Sequence, residues 1–476
     1  MKKQILKILK PIALAMPLLS GLVGFLYAGL TFADALFDSI SLYAMNFQDT
    51  PPNLWVEVGR WTAPLATASG IFLAVSALRS RVQNFLCYRR GDSVAVYGPE
   101  VEKAALLGRL GGRGMDGRGK YVRAARYILL GEEEENYDFY ASHRQELEKR
   151  EVYLRCSSLP SQAGSLPGLH LFCPEETAAR LFWKEYCPYG RSVERAHHLK
   201  IVLLGCGKLG EELLEYALLN NIFSPDQRIQ YHVFGEEDGF LAVHSRLGEI
   251  GDPVVFHGGP WYEELSLLEE ADMVVVLTQE GQLALLQKLL LATCREEIVV
   301  FASGSAGLEL LAGRERLLLF PWQEYAQCPE HILSDVLFGR AKGLNLRYAH
   351  LYDGVPETAQ AGEELWQKLD AFTRYSNVSA ADYHEVRLAM LRAWGVQGGM
   401  EGLSPEQLEL LAELEHIRWC RYHYLHNWQG GIPENGKNKD PRHRIHRDLR
   451  PYKELGEADR EKDRENIRVL MDLDLF

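Results

Sequence analysis

The stretch from Lys200 to Gly210 reads K-I-V-L-L-G-C-G-K-L-G, and it decides how the surrounding chain is expected to fold. Ile201 to Leu204 is a short apolar run of the kind that forms a fully buried strand. Glu211 to Asn220 then carries apolar residues at helical spacing, and Y-H-V-F at 231–234 is a second strand-like run. Strand, tight turn, helix and strand in this order predict the start of a parallel, doubly wound α/β sheet.

Three glycines, Gly205, Gly207 and Gly210, form the pattern G-x-G-x-x-G between the first strand and the helix. The first glycine permits the turn, the second lets a pyrophosphate approach the backbone, and the third lets helix and strand pack closely. The helix N-terminus adds free N–H groups and a partial positive charge. Glu236, at the end of the second strand, is placed to hold a ribose hydroxyl. The alternative is a domain that keeps the glycines for packing alone.

A later apolar run, A-D-M-V-V-V-L-T at 271–278, predicts another buried strand that ends in Thr278. Ligands of such sheets bind at the carboxyl edge, where this threonine is expected. We therefore predict a site for NAD or another adenine nucleotide, formed by Gly205, Gly207, Lys208, Leu209, Gly210, Glu236 and Thr278.

The composition of the chain sets limits on its function. A length of 476 residues predicts about three domains at ~150 residues each. The net charge of -13 argues against a general nucleic-acid binder. The eight cysteines are scattered and form no C-x-x-C pair, which indicates a reducing compartment and predicts no metal site.

The N-terminal region predicts a membrane unit over residues 1–91. Pro11 to Ala33 and Trp61 to Leu78 are free of charge, and about 20 apolar residues suffice to cross a bilayer. Basic residues flank the pair of spans, so the positive-inside rule predicts that both chain ends lie in the cytoplasm and residues 34–60 outside. These flanking residues are Lys2, Lys3, Lys7, Lys10, Arg79, Arg81, Arg89 and Arg90.

The segment between the two spans is more elaborate than a simple connector. Asp34 to Met45 is amphipathic at helical spacing, and the polar tract N-F-Q-D-T-P-P-N follows at 46–53. Span, short helix, polar tract and span resemble the pore unit of two-span potassium channels, although the Thr-Val-Gly-Tyr-Gly carbonyl filter is absent. The alternative is a hairpin anchor with an interfacial helix. The predicted pore-lining residues are Ser41, Asn46, Phe47 and Gln48.

Two α/β regions follow the membrane unit. Residues 92–195 alternate strand-like runs, the first at Val94–Tyr97, with helical runs and lack a glycine fingerprint. We therefore predict a degenerate Rossmann-like domain there, with an exposed loop at Gly111–Lys120; the alternative is that this basic loop contacts phosphate. Residues 196–343 resemble the TrkA-N, or RCK (regulator of potassium conductance), domain through G-C-G-K-L-G, A-D-M-V-V-V-L-T and the acidic pair Glu236 and Glu237. That resemblance implies binding of NAD or an adenine nucleotide and a cytoplasmic gating ring.

The C-terminal part is predicted to be a helical connector, 344–400, and a small module, 401–476, in which S-P-E-Q at Ser404 predicts a helix start. The module carries L-A-E-L-E-H-I-R-W-C-R-Y-H-Y-L-H-N-W-Q-G-G from Leu411 and H-R-D-L-R-P-Y-K-E-L from His446, and then a charged helical segment. These separated motifs, in this order, resemble the ryanodine receptor repeat (RyR) domain. The positions that match the repeat are His416, Trp419, Trp428, Pro451 and Tyr452.

The chemistry of this module favours a nucleotide-like ligand. Its loop is basic in an otherwise acidic chain, and aromatic residues of the preceding helix lie close in sequence. Aromatic faces stack on bases, and arginine side chains grip phosphates. The alternative is that the tryptophans form core and the basic residues are solvated. The candidate ligand residues are His416, Trp419, Trp428, Arg447, Arg450 and Tyr452.

These features and the two resemblances predict a bacterial inner-membrane ion channel or conductance regulator, gated by nucleotide-type ligands on its cytoplasmic domains. TrkA-N and RyR modules behind membrane helices also resemble bacterial nucleotide-dependent stress or defence effectors, which implies such a role. Two spans cannot enclose a path alone, so a homo-oligomer is expected, with a tetramer the simplest choice. The alternatives are a membrane-anchored NAD-dependent oxidoreductase and a non-conducting membrane-tethered sensor. The sequence contains no Tyr-x-x-x-Lys pair to support the oxidoreductase.

Overall fold

The structure is a computed structural model. The chain folds into two compact units. One unit is Met1–Ser93 with Val122–Ala124, and the other is Val94–Tyr121 with Ala125–Phe476. Only the backbone is described at helix positions 2–14, 73, 74, 76, 77, 79, 80, 83 and 399. The described residues are 2–46, 53–89, 91–117, 121–157, 168–235, 239–293, 298–302, 307, 308, 310, 317–334, 336–396, 399–434 and 436–473.

The first unit consists of helices. The predicted short helix between the long ones is confirmed as α2 and the single turn after it. Asn53 begins the last helix by accepting the Val56 N–H at 2.9 Å, and its side-chain amide donates to Gly24 O at 3.0 Å. A Cβ at Gly24 would lie 2.6 Å from the Val56 nitrogen, so this glycine allows the close approach of the two long helices. The elements are α1 (Lys2–Tyr27), α2 (Phe32–Ser41), the turn Leu42–Ala44 and α3 (Leu54–Arg89).

Among the described residues, no helix combines the length and the apolar character needed to cross a membrane. The predicted spans, Pro11–Ala33 and Trp61–Leu78, each include positions whose side chains lie outside the described part. Phe47 and Gln48 also lie outside it, whereas Ser41 ends α2 and the exposed Asn46 follows the turn. Membrane crossing and pore lining stay predictions.

The second unit begins with a five-stranded, all-parallel sheet in the order β2-β1-β3-β4-β5. The predicted loop at Gly111–Lys120 is wrong in part, because its described residues include the edge strand β2. The sequence of β2 is glycine-rich and has no alternation of apolar and polar residues. Its strand conformation is defined by its pairing with β1. The bounds are β1 (Val94–Tyr97), α4 (Glu100–Leu110), β2 (Gly114–Asp116), β3 (Arg126–Leu129), α5 (Glu133–Ser142), α6 (Arg144–Leu147), β4 (Glu151–Arg155), β5 (Leu169–Phe172) and α7 (Pro174–Glu185).

The second sheet has six parallel strands in the order β11-β10-β9-β6-β7-β8. Counted from β6 as the first, this is the 3-2-1-4-5-6 order of dinucleotide-binding folds, and the order reverses between β6 and β9. The bounds are α8 (Tyr189–Glu194), β6 (His198–Leu204), α9 (Gly207–Asn220), β7 (Arg228–Phe234), α10 (Phe240–Val243), β8 (Val254–His257), α11 (Leu265–Glu270), β9 (Met273–Val276), α12 (Gln282–Ala292), β10 (Ile298–Phe301) and β11 (Leu317–Phe320).

Each sheet has its own buried cluster, and α7, which follows β5, packs into the core of the six-stranded sheet. Helix α7 packs against α9, and the buried Trp183 indole donates to Leu213 O at 2.9 Å. The segments predicted as separate domains after residue 91 therefore belong to one compact unit.

The C-terminal part is helical, as predicted, with a small three-stranded sheet. The predicted helix start at Ser404 is confirmed by a capping box with Gln407. The buried Arg421 lies 2.7 Å from Asp252 and so joins the module to the six-stranded sheet. The elements are Trp322–Ala326, Pro329–Leu333, Gly339–Asp353, Ala359–Lys368, the connector helix Ala371–Ala393, the module helix Pro405–Leu425, β12 (Gln429–Gly430), β13 (Lys439–Asp440), β14 (Ile445–His446) and the C-terminal helix Glu457–Leu473.

Candidate ligand-binding sites

The glycine loop after β6 has the geometry that its sequence pattern predicts. Gly205 has a φ of 116°, and a Cβ there would lie 2.9 Å from the Thr278 nitrogen. A Cβ at Gly210 would lie 3.2 Å from Gly205 O. Both glycines are therefore required where β6, β9 and α9 approach one another. Thr278 reinforces the junction, because its hydroxyl donates to Leu204 O at 3.2 Å.

Gly207 differs from these two glycines because it faces open space. It begins α9 with a φ of 64°, and a Cβ built there meets no atom within 4 Å. The preceding residue, Cys206, makes no side-chain capping hydrogen bond to the helix. Open space before a helix N-terminus, at the strand-order switch point, fits an anionic phosphate. The residues present here therefore fit a nucleotide, with Gly205 to Gly210 positioned to hold its phosphates.

The other predicted cofactor residues are placed differently. Lys208 Nζ lies 2.6 Å from Glu212 and lines a cleft behind the loop. Leu209 is half-buried and packs against the main core. Glu236 lies outside the described residues. The structure thus brings Gly205, Gly207, Gly210 and Thr278 together, and it directs the side chains of Lys208 and Leu209 elsewhere.

A cavity of about 610 Å³, here called the module cavity, lies within the C-terminal part. Helices of the connector region, the module helix and the C-terminal helix surround it, and the loop before β13 covers one side. Its walls combine aromatic rings and cationic side chains with the carboxyl groups of Glu415, Asp448, Asp459 and Asp463. The aromatic and cationic groups suit an anionic aromatic ligand, although Lys462 is already paired with Asp459 at 2.7 Å. The residues that give it this character are Tyr348, Tyr352, Trp419, Lys437, Lys439 and Lys462.

His416 lines the module cavity, but its ring nitrogens bond to other parts of the protein. Burial alone would lower its pKa, but hydrogen bonds to Asp463 and Cys420 outweigh burial and raise the pKa to about 11. The ring is therefore a cation, 3.4 Å from the Asp463 carboxylate. Its other nitrogen donates to Arg450 O at 2.8 Å. His416 ties the C-terminal helix and the loop to the module helix.

The remaining RyR-type candidates divide into two groups. Trp419 lines the module cavity, and its ring lies 4.9 Å from that of His446. Trp428 is only 6% exposed and packs in a core cluster with Cys420 and Leu449, as the structural alternative predicts.

The second group lies apart from the cavities. Arg447 lies 3.4 Å from Asp448 and 3.8 Å from Asp459. Tyr452 is buried in another cluster, and Arg450 contributes its carbonyl to His416. Arg447, Arg450 and Tyr452 are not among the described residues that line the module cavity or the cleft behind the glycine loop.

That cleft, here called the α9 cleft, has a volume of about 850 Å³ and lies between α7, α9, the start of the connector helix and the module. The stacked rings of Phe372 and Trp428, with centroids 5.3 Å apart, form part of its wall. Buried carboxyl groups of Glu176 and Glu212 form another part. Sequence reasoning missed this site, because its described lining residues come from six separate segments and no local pattern marks their meeting.

Two carboxyl groups of the α9 cleft, those of Glu212 and Glu176, have raised pKa values. Burial, together with the neighbouring Glu215, raises the pKa of Glu212 to about 8 against the opposing effect of Lys208. Burial raises the pKa of Glu176 to about 7, although Arg180 and a hydrogen bond from Tyr216 oppose the change. Both groups therefore take up protons at a higher pH than ordinary carboxyl groups do.

The raised pKa of Glu212 predicts that stability depends on pH. A carboxyl with a higher pKa in the folded chain favours folding at low pH, and this contribution is lost as pH rises from 4.5 through about 8. We expect the Tm of the wild type to fall across this interval, and to fall less steeply in Glu212→Gln. Thermal unfolding at a series of pH values measures both slopes, with the exposed Glu401→Gln as control. Equal slopes in wild type and Glu212→Gln would contradict the assignment.

Among the described residues, no group of three or more His, Cys, Asp or Glu side chains is arranged to hold a metal ion. A ligand in either of the two cavities would contact aromatic, cationic and carboxyl groups.

Comparisons with known proteins add little to this description. No protein-family model matches the chain, and no curated protein matches it. Among solved structures, it is similar to a dipicolinate synthase subunit from Bacillus halodurans, at 12% identity and a TM-score of 0.24. The similarity covers 52% of this chain and 96% of that one. A likeness at this TM-score supports no conclusion about fold or activity.

Proposed function

We propose that this chain is a subunit of a bacterial inner-membrane ion channel or conductance regulator that responds to nucleotide-type ligands. The observation that carries the proposal is the open glycine loop at the switch point of a sheet with the 3-2-1-4-5-6 order. NAD or an adenine nucleotide is the ligand class for which such a loop is suited. The sequence resemblance to TrkA-N/RCK domains links this kind of binding to conductance.

The module cavity supports a second point of ligand control. Its aromatic and cationic walls suit a phosphorylated aromatic ligand, and the module is joined to the six-stranded sheet through Arg421 and Asp252. A ligand can shift a closed–open equilibrium only if it binds one state more tightly than the other. The proposal therefore requires that ligand contacts in the module or at the loop differ between the two states.

The surface of the first unit supports the membrane part of the proposal. Large apolar side chains are exposed along all three helices, far beyond the scattered exposure of an ordinary soluble surface. Lipid, or further copies of the chain, would remove them from water. Two long helices enclose no path alone, so the proposal requires a homo-oligomer, most simply a tetramer, with its large domains in the cytoplasm. Among the exposed residues are Leu19, Phe37, Trp55, Trp61, Leu65, Phe72 and Leu78.

Ion flux from liposomes containing the purified full-length protein tests this proposal. We expect flux that depends on an added nucleotide, with NAD, ATP and ADP as the first panel. Ligand binding without flux would favour the non-conducting sensor. Hydride transfer to or from NAD, measured in parallel, would favour the oxidoreductase.

Asn46 provides a sharper test of the pore. Its side chain is exposed, and its N–H donates to Ser41 O at 3.1 Å, which fixes the chain just after α2. If this segment lines an aqueous path, Asn46→Cys should react with a small charged thiol reagent added outside, and flux should drop severalfold. The wild-type chain with the same reagent is the control. Labelling that leaves flux unchanged would favour the hairpin anchor.

A further inference from the structure

The module cavity and the α9 cleft adjoin each other. Four residues line both of them: Ser376, Trp419, Lys439 and His446. Their volumes are about 610 Å³ and 850 Å³, and small-molecule pockets typically measure roughly 300–1,000 Å³. Each cavity is therefore large enough for one nucleoside, and the pair forms two chambers with a common boundary.

The chamber formed by the module cavity offers an aromatic face. The rings of Tyr348 and Tyr352 are stacked, with centroids 5.9 Å apart and planes 18° from parallel. Tyr352 is 62% exposed, so a ligand can reach its ring without displacing core residues. Stacking on such rings holds a nucleobase whatever its identity.

The chamber formed by the α9 cleft offers a second aromatic ring, that of the half-buried Phe372. Phe372 stacks on Trp428, and the Tyr422 hydroxyl anchors this arrangement by donating to Phe372 O at 2.7 Å. The exposed Arg444 lies at this chamber and donates to His426 O at 3.2 Å. The Glu212 carboxyl lies within the same cleft, 2.6 Å from Lys208 Nζ, so the two side chains add a polar wall.

The boundary between the chambers is suited to an anion. Lys439 in β13 and His446 in β14 are direct partners in the antiparallel pair, so their side chains lie side by side. The Asp448 N–H donates to His446 Nδ1 at 3.1 Å, which leaves Nε2 as the protonated nitrogen of the neutral ring. An ammonium group and an imidazole N–H are both donors for phosphate oxygens.

We propose that the two chambers together bind one dinucleotide, with a base in each chamber and the anionic bridge between the nucleosides held by Lys439 and His446. The inference rests on the proposed function, since it names the ligand class sensed by this part of the chain. The bridge is a phosphodiester or a pyrophosphate, because both present the same phosphate oxygens to these donors.

Calorimetric titration of the full-length protein carrying Gly207→Glu tests the proposal, because this change removes phosphate binding at the glycine loop. The ligands are AMP, NAD as a pyrophosphate-bridged dinucleotide, and linear and cyclic diadenylates as phosphodiester-bridged ones. We expect one bridged ligand to bind with a stoichiometry of one per chain and at least a hundredfold more tightly than AMP. AMP of equal affinity, two ligands per chain or no binding would overturn the proposal.

Exposed residues allow each chamber to be tested without unfolding the protein. Tyr352→Ala reports on the module cavity, Arg444→Gln on the α9 cleft and Lys439→Gln on the boundary. We expect each to weaken dinucleotide binding by roughly tenfold or more, in line with the loss of one stacked base or one phosphate contact. The control is Lys453→Gln, whose side chain is 82% exposed and which lines neither chamber among the described residues.

The pattern of losses decides the outcome. Weakening by only one of the two chamber variants would show that the ligand occupies a single cavity, and this would overturn the dinucleotide proposal. Flux that responds to mononucleotides alone would leave the proposed function standing while the dinucleotide inference falls. Tight dinucleotide binding without flux in liposomes would support the dinucleotide inference and contradict the proposed function.

Discussion

Replacing Glu415 by alanine is expected to destabilise the second unit by about 3–5 kcal/mol, the loss measured when one partner is removed from a buried ion pair. Glu415 is 2% exposed and pairs with Arg418 at 2.8 Å and with Arg387. Burial would raise its pKa, but Arg418 and Arg387 outweigh burial and lower the pKa, so the group is a carboxylate. Without it, two buried guanidinium groups would lose their shared counter-charge.

Denaturant unfolding of the full-length protein, followed by tryptophan fluorescence, measures this loss. The matched control is Glu413→Ala on the same helix, where the carboxylate lies 3.8 Å from the exposed Lys453. Because Lys453 is 82% exposed and the pair is long, it should contribute no more than a surface pair, about 0–1 kcal/mol, and the control should unfold close to wild type. Equal losses in the two variants would show that Glu415 is not the centre of a buried ionic network.

Gly207→Glu is expected to weaken nucleotide binding at the glycine loop by at least a hundredfold. The new side chain would enter the open space before α9 and place a negative charge where phosphate would bind. Because no atom lies within 4 Å of the Cβ position, the fold should tolerate the change. The remaining cost is that of a non-glycine residue at positive φ, roughly 1–2 kcal/mol. Thermal-shift and calorimetric titrations with NAD, ATP and ADP measure the effect.

Two further glycine variants separate binding from strain. Gly354→Glu places the same side chain at a φ of 68° in open space after another helix, so it should lose similar stability and keep nucleotide binding. Gly205→Ala should instead unfold more readily, because its Cβ would lie 2.9 Å from the Thr278 backbone. Wild-type affinity in Gly207→Glu would place the nucleotide away from the loop.

Features that depend on neighbours in sequence were predictable. The strand at Val94–Tyr97 and the helix start at Ser404 both occur where the sequence placed them. A continuous apolar run, buried at every position, indicates the first, and a local side-chain cap determines the second. The edge strand Gly114–Asp116 escaped prediction because its glycine-rich sequence has no periodicity of its own.

The candidate site was predictable only where backbone conformation defines it. Gly205, Gly207 and Gly210 take the places that their spacing implies, since the need for a glycine is a property of the turn itself. The directions of the side chains in this motif could not be predicted from the spacing. Lys208 belongs to the same motif, yet it pairs with Glu212 and lines the α9 cleft.

By itself, then, the sequence determined that parallel α/β sheets with a glycine turn precede a helical, aromatic-rich module, because periodicity and turn chemistry act over a few residues. Tertiary structure decided the strand order, and it joined α7, the six-stranded sheet and the module into one core. It also decided that Lys439 and His446 lie together between two cavities while Arg447 pairs with Asp448 and Asp459 outside them. Cavities are made by residues distant in sequence, so their lining follows from packing, which no local pattern encodes.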